Sequence, residues 1–495
     1  MRVLFVYSLR SGLNLRRPLW SLADIQIGIS YVSAYLRSQG HATRLVVLSS
    51  ERASRSLSLL NAAVREFDPQ LIGFTAVATQ YPFISAAARQ LKQLWPEKFL
   101  ILGGPHASLK PHEVIQDAFD AVCVGEGELP AAELAAQMES VESPRGISNL
   151  WIKQPDGTIE KNPPRNFLTD LERLPFPDRE IWHDWVMQRP RTQQVVLPSR
   201  GCPYTCSYCS NHALRKLADG KYVRLRAPIS ILQEIRELKQ RYPETTDIRL
   251  ESETIAINLD WLNELTEQIR VFNNQLDRKI SFATNFRVAR PFLNDQVFAA
   301  LERANVRTID IGLESGSERV RREILRRHYS NEDFFQAVAL ARRYGMNVDV
   351  YNMIGLPGET FADHMETIKV NHRVCPNRSL TSIFFPYPGT DLFETCAAQG
   401  LLTAGNVTAE RCRATLDHPK FREAEIQRAY DWFEYRVYRG HRPLHSRLRK
   451  VLRNKIARHA WVDRAFLRLL PLWYAFRDKK LAKTRPTVLK GFGAA

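Results

Sequence analysis

Residues 201–210 read GCPYTCSYCS and place Cys202, Cys206 and Cys209 within eight positions, three of the seven cysteines in the chain. Three thiolates at a C-x3-C-x2-C spacing can ligate one metal centre. Two readings of the stretch stand at this level. A structural zinc needs a fourth ligand, and His212, three residues beyond Cys209, is on offer. An iron–sulfur cluster that keeps one iron open for chemistry needs only the three. The loop directly follows a strand-like run, QVVLPSRGC at 194–202. Zinc knuckles usually sit between short hairpins, whereas the carboxyl end of a strand that opens a series of strand–helix repeats is where barrel enzymes keep their chemistry. Context therefore favours the cluster.

The repeats continue downstream. SILQEIRELKQRY (230–242), LDWLNELTEQIRVF (259–272), DQVFAALERAN (295–305) and EDFFQAVALARRYG (332–345) have helical periodicity. Between and after them DIRLES, KISFATN, TIDIGLES, NVDVYNMIGLPGE and LTSIFFPYPGT read as strands. Six repeats over about 200 residues are too few for an eight-fold barrel, so residues 191–390 are expected to form a partial (β/α)6 barrel.

Upstream, residues 1–140 alternate in the same way. MRVLFVYS, TRLVVLS, PQLIGFTAV, KFLILGG and AVCVGEGE are apolar runs of strand length, separated by amphipathic stretches such as GISYVSAYLRSQGH and PFISAAARQLKQLWP. That pattern implies a doubly wound parallel sheet, whose ligands sit at the carboxyl ends of the strands. Here those ends read SLRSG, TAVATQ, GGPHAS and GEGE. Residues 141–190 are turn-rich and read as a linker. Residues 391–495 read as mainly helical. The fold class expected is thus α/β, with a doubly wound sheet, a partial barrel and a helical C-terminal region.

A chain of 495 residues, 44% hydrophobic and 25% charged, is long enough for two to four domains with ordinary cores. An odd number of cysteines, four of them scattered singly, does not suit a secreted disulfide scaffold. No signal peptide is evident and no run approaches 18 uninterrupted apolar residues. A cytoplasmic, soluble or peripheral protein is expected. The net charge of +17 is concentrated at the end: from Arg436 onward there are 17 Lys/Arg and 2 Asp/Glu. Such a tail meets something anionic. Its apolar stripe of Leu448, Val451, Leu452 and Ile456 among basic residues suits an anionic membrane on the inner face. A solvated helical cap is the plainer alternative, and nucleic acid is not an expected partner.

SRGCPYTCSYCS resembles the cluster loop of the radical S-adenosylmethionine (SAM) enzymes, including the aromatic Tyr208 before the last cysteine. IRLESETI, IGLESGSE, YNMIGLPGET and FFPYPGT resemble further strand-end segments of that family, and residues 1–140 resemble the cobalamin-binding domain that precedes the barrel in one large subfamily. The resemblance spans about 1–390. It implies that Cys202, Cys206 and Cys209 hold a [4Fe–4S] cluster whose open iron chelates SAM. One electron would then cleave SAM to methionine and a 5′-deoxyadenosyl radical, which takes a hydrogen from an unreactive carbon. Tyr208, Glu251, Glu253, Glu314, Ser315, Gly355 and Gly358 would contact SAM. Gly103, Gly104, His106, Gly125 and Glu126 would face cobalamin. Glu-Ser-Glu at 251–253 departs from the adjacent aspartates of many relatives, and no D-x-H-x-x-G marks a lower axial cobalt ligand.

The implied reaction is methylation of an unactivated carbon, in a small-molecule or lipid-like substrate, with flavodoxin or ferredoxin as electron donor. Radical rearrangement or ring formation is the alternative within the class. An RNA-modifying methylthiotransferase would carry a second cysteine set in its first domain, where only Cys123 lies. A zinc-stabilised binding protein is the reading outside the class.

Overall fold

A computed structural model describes residues 1–10, 17–140, 143–187, 191–402, 413–414 and 416–456. Its first sheet contains β1 (Arg2–Leu9), β2 (Ala42–Ser49), β3 (Leu71–Thr75), β4 (Phe99–Gly103), β5 (Ala121–Cys123), β6 (Leu150–Lys153) and β7 (Ile159–Lys161), in the order β2-β1-β3-β4-β5-β6-β7. The first five are parallel. Helices Ile27–Ser38 and Glu128–Ser140 cover one face, and Ala53–Phe67 and Tyr81–Leu94 the other. Strands covered on both faces need apolar side chains at every position, which is why Val3, Leu4, Phe5 and Val6 are all buried.

Two local expectations change. HEVIQDAF (112–119), whose apolar spacing suggests a helix, forms only one helical turn, Pro111–Val114, which follows another short helix, Gly104–Leu109. Each begins with a proline in its first turn, and Lys110 between them leaves the helical region, so no continuous helix forms. The stretch 141–190, read as a linker, also carries β6 and β7, which extend the first sheet, β6 antiparallel to β5 and β7 antiparallel to β6. Leu150 and Ile152 are buried and Trp151 and Lys153 are half-exposed. A four-residue alternation is too short to stand out from a turn-rich sequence. Farther along, Trp182 is fully buried, donates Nε1 to Ser30 Oγ at 2.8 Å and meets Tyr7 edge to face at 5.7 Å.

The second sheet is the partial barrel. Its strands are β8 (Gln193–Val196), β11 (Asp247–Leu250), β12 (Ser281–Phe286), β13 (Val306–Glu314), β14 (Asn347–Ile354) and β15 (Arg378–Ile383), all parallel and adjacent in chain order. A small antiparallel ladder of β9 (Ser199–Arg200) and β10 (Arg224–Leu225) flanks the cysteine loop. Helix Glu423–Val437 closes the β15 side by packing Ile426, Ala429 and Phe433 with Ile354 and Ile383. Residues 457–495, the greater part of the basic tail, lie outside the described residues.

Buried charge joins the two sheets. Arg200 bonds Glu126 at 3.1 Å and Glu128 at 2.6 Å, and Arg224 bonds Glu126 at 2.9 Å. Behind them Glu234 takes Arg179 at 2.5 Å on one oxygen and Arg226 on the other, and Arg226 also reaches the Tyr31 hydroxyl at 3.4 Å. Glu234 is 1% exposed. Removing one member of such a cluster leaves buried charge uncompensated, at a cost of about 3–5 kcal/mol. Glu234→Ala is therefore expected to lose about that much stability in chemical denaturation. A loss under about 1 kcal/mol would mean that the cluster is solvated.

Candidate functional site

The carboxyl ends of the barrel strands and of the first sheet face one cleft of about 1310 Å3. A single drug-sized ligand usually occupies about 300–1,000 Å3, so this space suits more than one small molecule.

The cysteine loop forms one wall. Gly201 begins it with φ +84°, and a Cβ there would stand 2.2 Å from Tyr222 O, so only glycine allows the turn. Cys202, Cys206 and Cys209 all line the cleft. Cys209 N donates to Cys206 O at 3.1 Å, and Cys202 Sγ lies 4.0 Å from Thr254 Oγ1. Cys206 Sγ accepts from Arg287 Nη1 at 3.0 Å, with the same guanidinium 4.1 Å above the Tyr204 ring. Burial pushes the Cys202 thiol up and that of Cys209 to about 12. Metal loading must displace those protons.

His212 does not join them. Its Nε2 is 2.8 Å from Asp391 Oδ1, at the start of helix Asp391–Ala398. Among the described residues no three His, Cys, Asp or Glu side chains are grouped to hold a single ion. The donor set is three sulfurs along a cleft wall, which fits a cluster in which each cysteine holds its own iron better than one tetrahedral ion.

Opposite the loop, Glu314 ends β13 with φ +63°, a conformation a non-glycine residue adopts only when its surroundings hold it. Arg327 does so. Its Nη1 donates to Glu314 Oε1 at 3.2 Å and to Tyr208 OH at 2.9 Å, and its Nη2 to Gly312 O at 2.6 Å. Burial raises the Tyr208 phenol, so it stays protonated. Glu251 accepts from Arg249 Nε at 2.7 Å and Asn285 Nδ2 at 2.9 Å. Burial raises the Glu253 carboxyl, a hydrogen bond from Asn211 opposes the shift, and Glu251 adds to it.

His106 enters the cleft from the first sheet. It is buried and stacked on Tyr81 at 4.2 Å, and neither ring nitrogen has a hydrogen-bond partner among the described residues. Burial, aided by Lys110, lowers it to about 4, so the ring is neutral at pH 7. An orphaned neutral imidazole in a cleft is a fitting contact for a bound cofactor.

Other expected contacts lie elsewhere. Ser315 is buried away from the cleft, its hydroxyl 3.4 Å from Thr367 Oγ1 and accepting from Ser317 N at 3.2 Å. Gly355 packs on Ile426, which a Cβ would approach to 2.9 Å, and Gly358 packs beside Ile324. Gly103 and Gly104 form the tight turn that delivers Pro105 and His106 to the cleft without lining it themselves. Gly125 and Glu126 sit at the domain junction, where Glu126 is occupied by Arg200 and Arg224. All seven serve the frame that the site needs, because tight turns and junctions also demand glycine and acid at strand ends. Arg287 and Arg327 carry no sequence signal: the chain has many arginines, and nothing in spacing marks these two.

Comparison with known proteins places two families along the chain. Residues 196–370 match the Radical SAM superfamily, and residues 25–135 match the B12 binding domain. An uncharacterised methyltransferase of Pyrococcus horikoshii is 26% identical over 77% of this chain and 80% of its own length. The anaerobic magnesium-protoporphyrin IX monomethyl ester cyclase of Rubrivivax gelatinosus is 24% identical over 80% of this chain and 70% of its own. The fold is similar to that of the radical SAM methyltransferase TsrM of Kitasatospora setae, solved with cobalamin and a [4Fe–4S] cluster, at a TM-score of 0.63, 18% identity, and coverage of 88% and 86% of the two chains.

A three-cysteine site makes a sharp expectation. Anaerobically reconstituted Cys206→Ala should lose the visible iron–sulfur absorption, and His212→Ala should keep it. Loss of colour in both would show His212 to be a fourth ligand.

Proposed function

We infer that this chain, which belongs to the radical SAM superfamily and carries a B12 binding domain ahead of its barrel, methylates an unactivated carbon of a small-molecule substrate. The observation that carries the reading is the shared cleft, in which the three cysteines of the barrel and His106 of the first sheet line the same space. In this reading Cys202, Cys206 and Cys209 hold the cluster. Tyr208, Glu251, Glu253 and Glu314 line the pocket for SAM, with Arg327 fixing two of them and Arg249 a third. Such fixing matters because positioned groups lower the entropic part of a barrier. His106, delivered by the turn at Gly103–Gly104, would lie against cobalamin. When bound, the cluster supplies the electron for SAM cleavage and cobalamin carries the methyl group.

Anaerobic incubation with SAM and a reductant should yield 5′-deoxyadenosine, with S-adenosylhomocysteine formed alongside it. A fully reconstituted enzyme that cleaves no SAM would refute the reading. 5′-Deoxyadenosine without S-adenosylhomocysteine would favour the ring-forming or rearrangement alternative, which the similarity to a cyclase supports. A one-electron donor is required, and a flavodoxin or ferredoxin supplies that chemistry.

A peripheral contact with an anionic membrane belongs to the same reading. No helix among the described residues is long and apolar enough to cross a membrane. Helix Leu444–Ile456 leaves Leu444, Leu448 and Leu452 exposed on one stripe beside Arg449, Lys450 and Arg453. Helices with that combination bind anionic surfaces. The full chain should then co-sediment with phosphatidylglycerol vesicles and not with phosphatidylcholine vesicles. Equal recovery with both would remove the membrane from the account.

A further inference from the structure

The inside of the barrel is polar, unlike the core of a complete eight-stranded barrel, which branched aliphatic side chains fill. Here one layer across four neighbouring strands is wholly polar: Asn285 pairs with Asp310, Asp310 with Asp349, and Asp349 with Arg378. All four line the cleft, as do Arg249 and Tyr351 above and beside them.

Most of the hydrogen-bonding capacity in this layer is used internally. Arg249 gives Nε to Glu251 and Nη2 to Asn285 at 2.9 Å and to Asp310 Oδ2. Tyr351 OH reaches the same Oδ2 at 3.4 Å. Arg378 holds Asp349 through Nε at 2.7 Å and Nη2 at 2.6 Å. One atom is left over. Asp310 is 3% exposed, and its Oδ1 has no hydrogen-bond partner among the described residues. A buried carboxylate oxygen without a donor costs the desolvation of a charged group, so nearly all such atoms in folded proteins are satisfied.

We propose that the barrel layer around Asp310 is the substrate subsite, and that it takes a hydrophilic molecule presenting an N–H or O–H donor to Asp310 Oδ1. This rests on the function proposed above. Asp310 is four residues before Glu314 on β13, about 13 Å at the usual strand rise. A molecule anchored there by its polar end reaches the cluster end of the cleft with its far end. That geometry selects substrates with a polar anchor several bonds from the reacting carbon. It also selects against lipid-like hydrocarbons, which would bury the charged layer without satisfying it.

The test uses the full-length reconstituted enzyme with [methyl-13C]SAM and a reductant. Water-soluble and chloroform-soluble extracts of the producing cells are offered separately. The labelled product is expected in the aqueous arm. Asp310→Asn should lower its yield at least about ten-fold, as loss of a charge-assisted hydrogen bond does. Ala283→Leu, which fills the lumen from the strand beside Arg249, should abolish it while 5′-deoxyadenosine still forms. The Ala283 variant keeps the test sharp even where Asp310→Asn fails to fold. Label confined to the chloroform arm, or a yield unchanged in Ala283→Leu, would overturn the proposal. Absence of 5′-deoxyadenosine in the parent enzyme would instead refute the radical SAM reading beneath it, and the subsite with it.

Discussion

The cleft depends on the arginine–carboxylate contacts that join the two sheets. Arg200 stands two residues before Cys202 and bonds Glu126 and Glu128, which follow β5 of the first sheet. The same short ladder that carries Arg200 also carries Arg224, which shares Glu126. The base of the cysteine loop is therefore clamped to the domain that faces it. Buried ion pairs are seldom a large net source of stability, because desolvation offsets their attraction. Their value here is positional. Guanidinium and carboxylate meet in one geometry, and that geometry sets two sheets at a fixed separation with the cysteines and His106 on the walls between them.

A second constraint is the placement of charge inside the site. Arg327 orients Tyr208 and Glu314, Arg249 orients Glu251, and Arg287 meets a cysteine sulfur. Each arginine is anchored by more than one contact, so each presents a pre-set group to whatever binds. Pre-organised charge in a low-dielectric space is what allows a site to direct polar ligands without rearranging for each one. The strained φ of Glu314 belongs to the same pattern, since the surroundings hold the strand end in a conformation that its side chain would not choose.

Much of the fold was legible because the relevant signals are local. Parallel strands buried on both faces show as continuous apolar runs, and the helices between them show a 3.6-residue period. β6 and β7 were not legible, because short antiparallel edge strands carry little periodicity and lie among turns. Of the residues that line the cleft, the cysteines were legible through their spacing, and Glu251, Glu253, Glu314 and His106 through their places at strand ends. Ser315, Gly355, Gly358 and Glu126 occupy equally suggestive positions, yet the structure gives them to turns, packing and the domain junction.

The sequence by itself determined the two α/β units, their order and the three-sulfur loop, since each is written in residues close along the chain. Only the tertiary structure decided which strand-end groups share the cleft, that His212 belongs to Asp391, and that the barrel interior carries a charged layer in which Asp310 Oδ1 has no partner among the described residues. Those outcomes depend on contacts such as Arg249 with Asp310, 61 positions apart, and His212 with Asp391, 179 apart. A side chain at a strand end can turn to solvent, to a neighbouring turn or into the lumen. The choice follows from burial and charge pairing across the assembled sheets, which no local spacing encodes.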